Sequence, residues 1–229
     1  MSVYITGDIH GSIDIRKLNS DNFPEQKNMT KDDILIILGD FGLIWDVGQS
    51  GKEEQYWLDW LNSRNFTVFC ILGNHENYDR LNQCPKVGKN LRKIHDSIFW
   101  MENGIHIIQG KVFFTFGGGT SIDKMFRKEN VSWWPEEIPN CNEFERCLEI
   151  IETVGQVDCV LTHAAPESLL NKIFINENFK KEASCQVEKY LDIVREKLIF
   201  DDWFFGHYHK DKIIDLQTEC VYYQIIKII

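Results

Sequence analysis

Short, β-branched apolar runs recur at Val3–Ile5, Ile34–Leu38, Phe66–Leu72, Ile105–Ile108, Val112–Phe116, Val157–Leu161, Trp203–Phe205, Lys212–Leu216 and Cys220–Ile228, most of them bounded by Gly, Asp or Asn. Runs of this length and composition predict strands. Between them, apolar residues repeat at helical spacing: Tyr56, Trp57, Trp60 and Leu61; Phe144, Cys147, Leu148 and Ile151; Val187, Tyr190, Leu191, Val194 and Leu198. Each set marks one face of a helix laid over a sheet. Strands alternating with helices in the first half predict parallel βαβ units, and the closely spaced runs after Trp203 predict an antiparallel hairpin arrangement. Ile34-Leu35-Ile36-Ile37-Leu38 is apolar at every position, so both of its faces need cover. The expected fold is a layered α/β sandwich of mixed sheets stacked on each other and covered by helices.

No repeat, Gly/Ser linker or charge block interrupts this pattern, so residues 1–229 are expected to form a single domain. With 43% hydrophobic and 13% aromatic residues, the chain can fill a sizeable core. Its 35 acidic residues exceed 25 basic ones, for a net charge of −10, and such a field repels polyanions. That excludes a broad nucleic-acid-binding surface and requires a local cation for any small anionic substrate. The seven cysteines form no Cys-x-x-Cys pair and read as reduced. Met1 leads straight into Val3-Tyr4-Ile5 without a leader pattern, and no window approaches the roughly 20 apolar residues of a membrane span. The expected compartment is the cytoplasm, with no membrane partner.

The chemistry gathers where apolar runs end. Five such ends carry Asp, Asn or His: Thr6-Gly7-Asp8-Ile9-His10, Gly39-Asp40, Gly73-Asn74-His75-Glu76, Thr162-His163 and Gly206-His207-Tyr208-His209. In open α/β sheets, groups just beyond the carboxyl ends of strands converge on one crevice. Five of the seven histidines belong to this set. Residues two apart in an extended segment point to the same side, so Asp8 with His10, and His207 with His209, address one centre. Imidazole nitrogens with carboxylate and amide oxygens suit Mn, Fe, Zn, Ni or Co, and the absence of thiolate argues against a closed structural zinc site. Asp8, Asp40, Asn74, His10, His163, His207 and His209 are seven donors. They are too many for one tetrahedral ion and suit two ions sharing a bridging group.

These ordered motifs, Gly7-Asp8-Ile9-His10-Gly11, Gly39-Asp40, Gly73-Asn74-His75-Glu76, His163 and Gly206-His207-x-His209, resemble those of the calcineurin-like metallophosphoesterases over residues 8 to 209. The resemblance implies a four-layer αββα sandwich. It assigns Asp8, His10, Asp40 and His209 to a first ion and Asp40, Asn74, His163 and His207 to a second, with Asp40 bridging. Manganese is the first expectation for both. A water shared by two dications serves as nucleophile in an in-line displacement on a phosphate ester. His75, beside Asn74, is implied to be the catalytic histidine that stabilises the transition state or protonates the leaving oxygen. The substrate is expected to be a nucleotide, a cyclic phosphate or a nucleic-acid end. A serine/threonine protein phosphatase and a non-catalytic metal-binding scaffold are the competing readings.

One departure weakens the protein-phosphatase reading. Phosphoprotein phosphatases of this superfamily carry Gly-Asp-x-x-Asp-Arg-Gly, whereas this chain reads Gly39-Asp40-Phe41-Gly42-Leu43-Ile44-Trp45-Asp46. The group that orients His75 must then come from elsewhere, with Asp46 as a candidate. Gly117-Gly118-Gly119 and the following segment to Arg127 offer an alternative phosphate clamp, with Arg127 as the substrate ligand. Trp133 and Trp134 read as packing residues before an aromatic wall for a leaving group. His95 and His106 are expected to have no catalytic role. Loops around 119–142 and 164–185 are expected to set substrate preference.

Overall fold

The computed structural model describes residues 1–175 and 185–229, so part of the 164–185 loop lies outside the described residues. Along the chain run β1 (Val3–Thr6), β2 (Ile34–Leu38), α1 (Lys52–Asn62), β3 (Thr67–Ile71), α2 (Tyr78–Leu81), β4 (Lys86–Gly88), β5 (Leu91–His95) and β6 (Ile98–Met101). There follow β7 (Gly104–Ile108), β8 (Lys111–Phe116), α3 (Cys141–Val154), β9 (Gln156–Thr162), α4 (Leu170–Ile173), α5 (Gln186–Lys197), β10 (Ile199–Phe205), β11 (Lys212–Asp215), β12 (Thr218–Cys220) and β13 (Ile225–Lys227). Among the described residues, thirteen strands form a seven-stranded sheet, β13-β1-β2-β3-β6-β5-β4, and a six-stranded sheet, β11-β12-β10-β9-β8-β7. Both are mixed. Strands β1, β2, β3 and β6 pair in parallel, as do β8, β9, β10 and β12, while the outer pairings are antiparallel.

Side-chain alternation along β2 shows how the layers stack. Ile34, Ile36 and Leu38 join Cys159 and Leu161 of β9 and Phe204 of β10 in a buried cluster between the two sheets. Leu35 and Ile37 face the other way, into a cluster with Leu58 and Leu61 of α1 and Leu81 of α2. On the far face of the second sheet, Val160 and Trp203 pack with Phe144, Cys147 and Ile151 of α3 and Val187, Leu191 and Val194 of α5. The result is the expected αββα sandwich, and it explains why β2 has no polar position. Ile36 is fully buried in the inter-sheet layer, so its truncation to Ala costs about 2–5 kcal/mol. Helix α3 starts where the Asn140 side chain accepts from the Glu143 N–H and stops at Gly155, whose φ of 69° no longer continues the helix.

Four local expectations change. The run Cys220–Ile228 divides into β12 and β13, which belong to different sheets. Between them the Asp211 carboxylate accepts the N–H groups of Tyr222, Tyr223 and Gln224, which turns the chain from one layer to the other. After Trp203 only β11 and β12 form the antiparallel hairpin, because β12 pairs in parallel with β10. Residues 86–101 contain three strands that the apolar pattern does not mark. Arg92, Lys93 and His95 interrupt the alternation there, and Arg92 is accommodated by Glu102 at 2.7 Å and by the Trp100 ring. Tyr56 is 60% exposed, and the buried face of α1 is Glu54, Leu58 and Leu61. Among the described residues, no helix is long and apolar enough to cross a membrane.

Candidate functional site

Stacking brings the carboxyl ends of β1, β2 and β3 from one sheet against those of β9 and β10 from the other. Ligand-type atoms of Asp8, His10, Asp40 and His209 all lie within 4.8 Å of one another, as do those of Asp40, His163 and His207. Asp40 belongs to both groups. Asn74 joins the second, its Oδ1 3.0 Å from His163 Nε2. All seven predicted donors are therefore together in space.

The local backbone is bent to achieve this. His10, Asp40, His207 and His209 have φ of 45°, 43°, 69° and 50°. Left-handed backbone is uncommon outside glycine and is retained where surrounding structure over-determines it. Four of the seven donors adopt it, so strain is built into these strand ends. Gly39 (φ 94°) is needed for a second reason, since a Cβ there would come 2.1 Å from His163 Nδ1.

Outer partners aim the donors. His163 Nδ1 lies 2.8 Å from the Leu38 carbonyl, so that nitrogen carries the proton and Nε2 presents its lone pair to the site. His10 Nδ1 sits 2.8 Å from Asp14 Oδ2, leaving Nε2 3.3 Å from Asp40 Oδ2. The Asn74 amide donates to Ser121 Oγ (3.1 Å), which in turn donates to Glu137 Oε2 (2.7 Å), and this turns Oδ1 of Asn74 inward. Glu76 accepts the N–H groups of Phe41, Gly42 and Gly73 and ties the turn after β2 to the turn after β3. Lys17, almost wholly buried, donates to the carbonyls of Gly7, Asp8 and Tyr222. Asp14, Lys17, Glu76, Ser121 and Glu137 escaped the sequence reading. Glu76 and Ser121 lay inside segments singled out along the chain, but without a role of their own.

Charge at the site is concentrated and buried. Burial works against ionisation of Asp40, but the imidazoles of His163, His10 and His75 outweigh it and hold its carboxyl well below the usual range. Asp8 is lowered in the same way, with His209 and His163 overcoming burial. Burial disfavours a charged His10, yet Asp40, Asp8 and Asp14 lift it to about 9. His207 is pushed down to about 3 by burial and by its neighbour His163. His207 Nδ1 and His163 Nε2 face each other at 3.2 Å. Buried carboxylates opposite these imidazole nitrogens, two of them (in His10 and His163) on rings whose other nitrogen is occupied, form an oxygen-and-nitrogen donor set that fits divalent cations. Burial pushes Glu76 up to about 8, with Asp40 adding to it, although three amides favour its carboxylate form.

His75 lies at the edge of the cluster, Nε2 3.9 Å from Asp40 Oδ2. Its Nδ1 is 3.0 Å from Arg127 Nη1, while Arg127 Nε is pinned by Asp123 at 2.8 Å. Asp46 does not orient His75. Its carboxylate accepts the Gly51 N–H at 2.7 Å, at the start of α1. The Gly117-Gly118-Gly119 loop is not an amide cradle either, because its N–H groups are spent on Asn103 Oδ1, the Leu72 carbonyl and the Glu137 carbonyl. Trp134 is buried, donating to Asp79 (3.0 Å). His95 and His106 are away from the cluster, facing Asp59 and the Glu102 carbonyl.

Residues 1–211 match the family model described as calcineurin-like phosphoesterase. No curated protein matches the chain. Among solved structures, the chain is similar to a Staphylococcus aureus protein described as a candidate 5′-nucleotidase in complex with alpha-ketoglutarate, at 15% identity and a TM-score of 0.48. That likeness covers 96% of this chain and 48% of the other, so the chain spans about half the length of that protein.

Proposed function

The chain belongs to the calcineurin-like phosphoesterases, metal-dependent hydrolases of phosphate esters, and we propose that it works through two divalent cations sharing Asp40, on a nucleotide, a cyclic phosphate or a nucleic-acid end. Asp8, His10, Asp40 and His209 would hold one ion, and Asp40, Asn74, His163 and His207 the other. The observation that carries this reading is that two separate donor groups have one carboxylate in common. Two bound dications supply the positive charge that lowers the pKa of water and offsets the charge of a phosphoryl group, in an otherwise acidic protein.

The remaining work falls to the chain's own side chains. Burial pushes the His75 imidazole down, Asp40 opposes this and Arg127 adds to it, so His75 is held neutral at ordinary pH. Arg127 Nη1 faces Nδ1 at 3.0 Å, closer than Nη2 to Nε2 at 3.5 Å, so Arg127 donates to Nδ1 and the proton sits on Nε2, on the side of Asp40. His75 then donates from Nε2 to the phosphoryl or leaving oxygen. Arg127, fixed by Asp123 and beside His75, contacts the phosphoryl group with the rest of its guanidinium. We further propose a reducing, cytoplasmic location, supported by seven free cysteines.

Hydrolysis of p-nitrophenyl phosphate and its bis-ester with added manganese tests the reading. Asp40→Asn and His163→Ala are expected to abolish turnover while circular dichroism shows the fold intact. Turnover that persists in both variants overturns it.

A further inference from the structure

Next to the cluster opens a cleft of about 500 Å³, within the range of small-ligand pockets. One wall is His10, His75 and Arg127, so the cleft is continuous with the donor groups. Leu43, Trp45 and Trp57 supply an apolar and aromatic wall. That wall is built in advance. The Trp45 ring packs edge-on against the buried Trp134, with ring centroids 5.7 Å apart, and the Trp45 backbone N–H donates to Glu54 Oε2 at 3.0 Å. Glu54 is itself gripped at both oxygens by Arg80, which also donates to the Asp46 carbonyl. Trp57 stands on α1 between Tyr56 and Trp60.

The charges of the lining are asymmetric. Among the described residues, Arg127 is the one Lys or Arg of the lining, and it lies beside His75. The segments bearing the two tryptophans bring Asp46 and Glu53 to the lining. Among the described residues neither forms an ion pair within 4 Å, unlike Glu54. A second phosphate placed toward the tryptophans would meet these two carboxylates, whereas Arg127 stands at the other end, beside His75. A flat, uncharged group bearing hydrogen-bond donors would instead stack on the aromatic wall and give its donors to Asp46 and Glu53.

We propose that this cleft selects the leaving group, and that the substrate is a nucleoside monophosphate, with the nucleoside against Trp45 and Trp57 and its single phosphate at the donor groups. This rests on the phosphoesterase reading above. In the reaction, water oxygen bonds to phosphorus, the ester P–O bond breaks, and the departing nucleoside oxygen takes up a proton, so the products are a nucleoside and inorganic phosphate.

The test compares kcat/KM of the manganese-loaded protein for a nucleoside 5′-monophosphate, the corresponding diphosphate and glycerol phosphate. The monophosphate is expected to exceed both by about tenfold or more, the equivalent of one stacking contact. In Trp57→Ala its advantage over glycerol phosphate falls about tenfold through KM, and Trp57→Tyr, which keeps a flat ring, restores most of it. Glu53→Gln narrows the gap to the diphosphate. Turnover with no preference among the three, or a preference unchanged in Trp57→Ala, overturns the cleft assignment and leaves the phosphoesterase reading standing. Absence of turnover with every ester overturns both.

Discussion

Gly119→Ala probes the second donor group without removing any donor. A Cβ at this position would lie 3.2 Å from His163 Cδ2, 3.3 Å from Asn74 Oδ1 and 3.3 Å from His207 Cε1. Ordinary contact begins near 3.5 Å, so the shortfall is about 0.2–0.3 Å on three sides at once. None of the backbone angles at Gly119 is in the left-handed region, so the effect is one of space. The neighbours have little freedom to yield. His163 is fully buried and held through Nδ1 by the Leu38 carbonyl, and Asn74 is held by Ser121. The displacement therefore falls on the donor atoms of one group, and metal sites tolerate about 0.2 Å. Calorimetric titration of metal-free protein with manganese should resolve two classes of site. In Gly119→Ala one class should weaken about 10–100-fold, the range seen when the support of a ligand is disturbed, while the class held by Asp8, His10 and His209 keeps its affinity. Gly88→Ala, where a Cβ meets nothing within 4 Å, should change neither. Parallel weakening of both classes, or no change in either, refutes the assignment of His163, His207 and Asn74 to a separate ion.

Three further outcomes are expected. Glu76→Gln sets an amide NH₂ against one of three N–H donors at a buried position, and urea denaturation should register a loss of about 1–3 kcal/mol; an unchanged midpoint contradicts the tie between the two turns. Adding manganese at about 100 times its dissociation constant should stabilise the metal-free protein by about 2.7 kcal/mol for each site filled, and the increment should shrink in Asp40→Asn; an equal increment in both proteins contradicts a shared carboxylate. Burial opposes ionisation of Glu54, but the paired Arg80 outweighs it and holds the carboxyl below its usual 4.5. The ion pair's contribution is thus present above that pH and is lost as pH falls through the lower, folded-state value. The stability gap between wild type and Arg80→Met should close on acidification; a gap constant from neutral pH to about 3 is the contrary result.

How much of this was readable along the chain depends on the range of the forces involved. Strand β2 announced itself because burial on both faces leaves no position for a polar residue, and that constraint is written in five consecutive side chains. Strands β4 to β6 did not. Their outer positions hold Arg92 and Lys93, tolerated because Glu102 and Trp100 stand nearby only after folding. Helix α1 shows the same limit: its aromatic residues suggested the buried face, but Tyr56 remains exposed and Glu54 is buried because Arg80, from α2, reaches it.

For the site, residue type and position at strand ends were enough to single out Asp8, His10, Asp40, Asn74, His163, His207 and His209, since converging carboxyl ends follow from the alternation of strands and helices. The sequence by itself thus determined which atoms were available to the centre and the layered frame that gathers them. Only the tertiary structure decided how those atoms are aimed: the left-handed turns at four of them, the Leu38 carbonyl behind His163, the Ser121–Glu137 relay behind Asn74, and Arg127 in place of Asp46 beside His75. It also buried Trp134 as a packing residue and brought Trp45 and Trp57 to the cleft beside His75. The physical reason is that burial acts on each side chain through its own surface and leaves a periodic trace, whereas orientation depends on hydrogen bonds between groups far apart in sequence, which leave none.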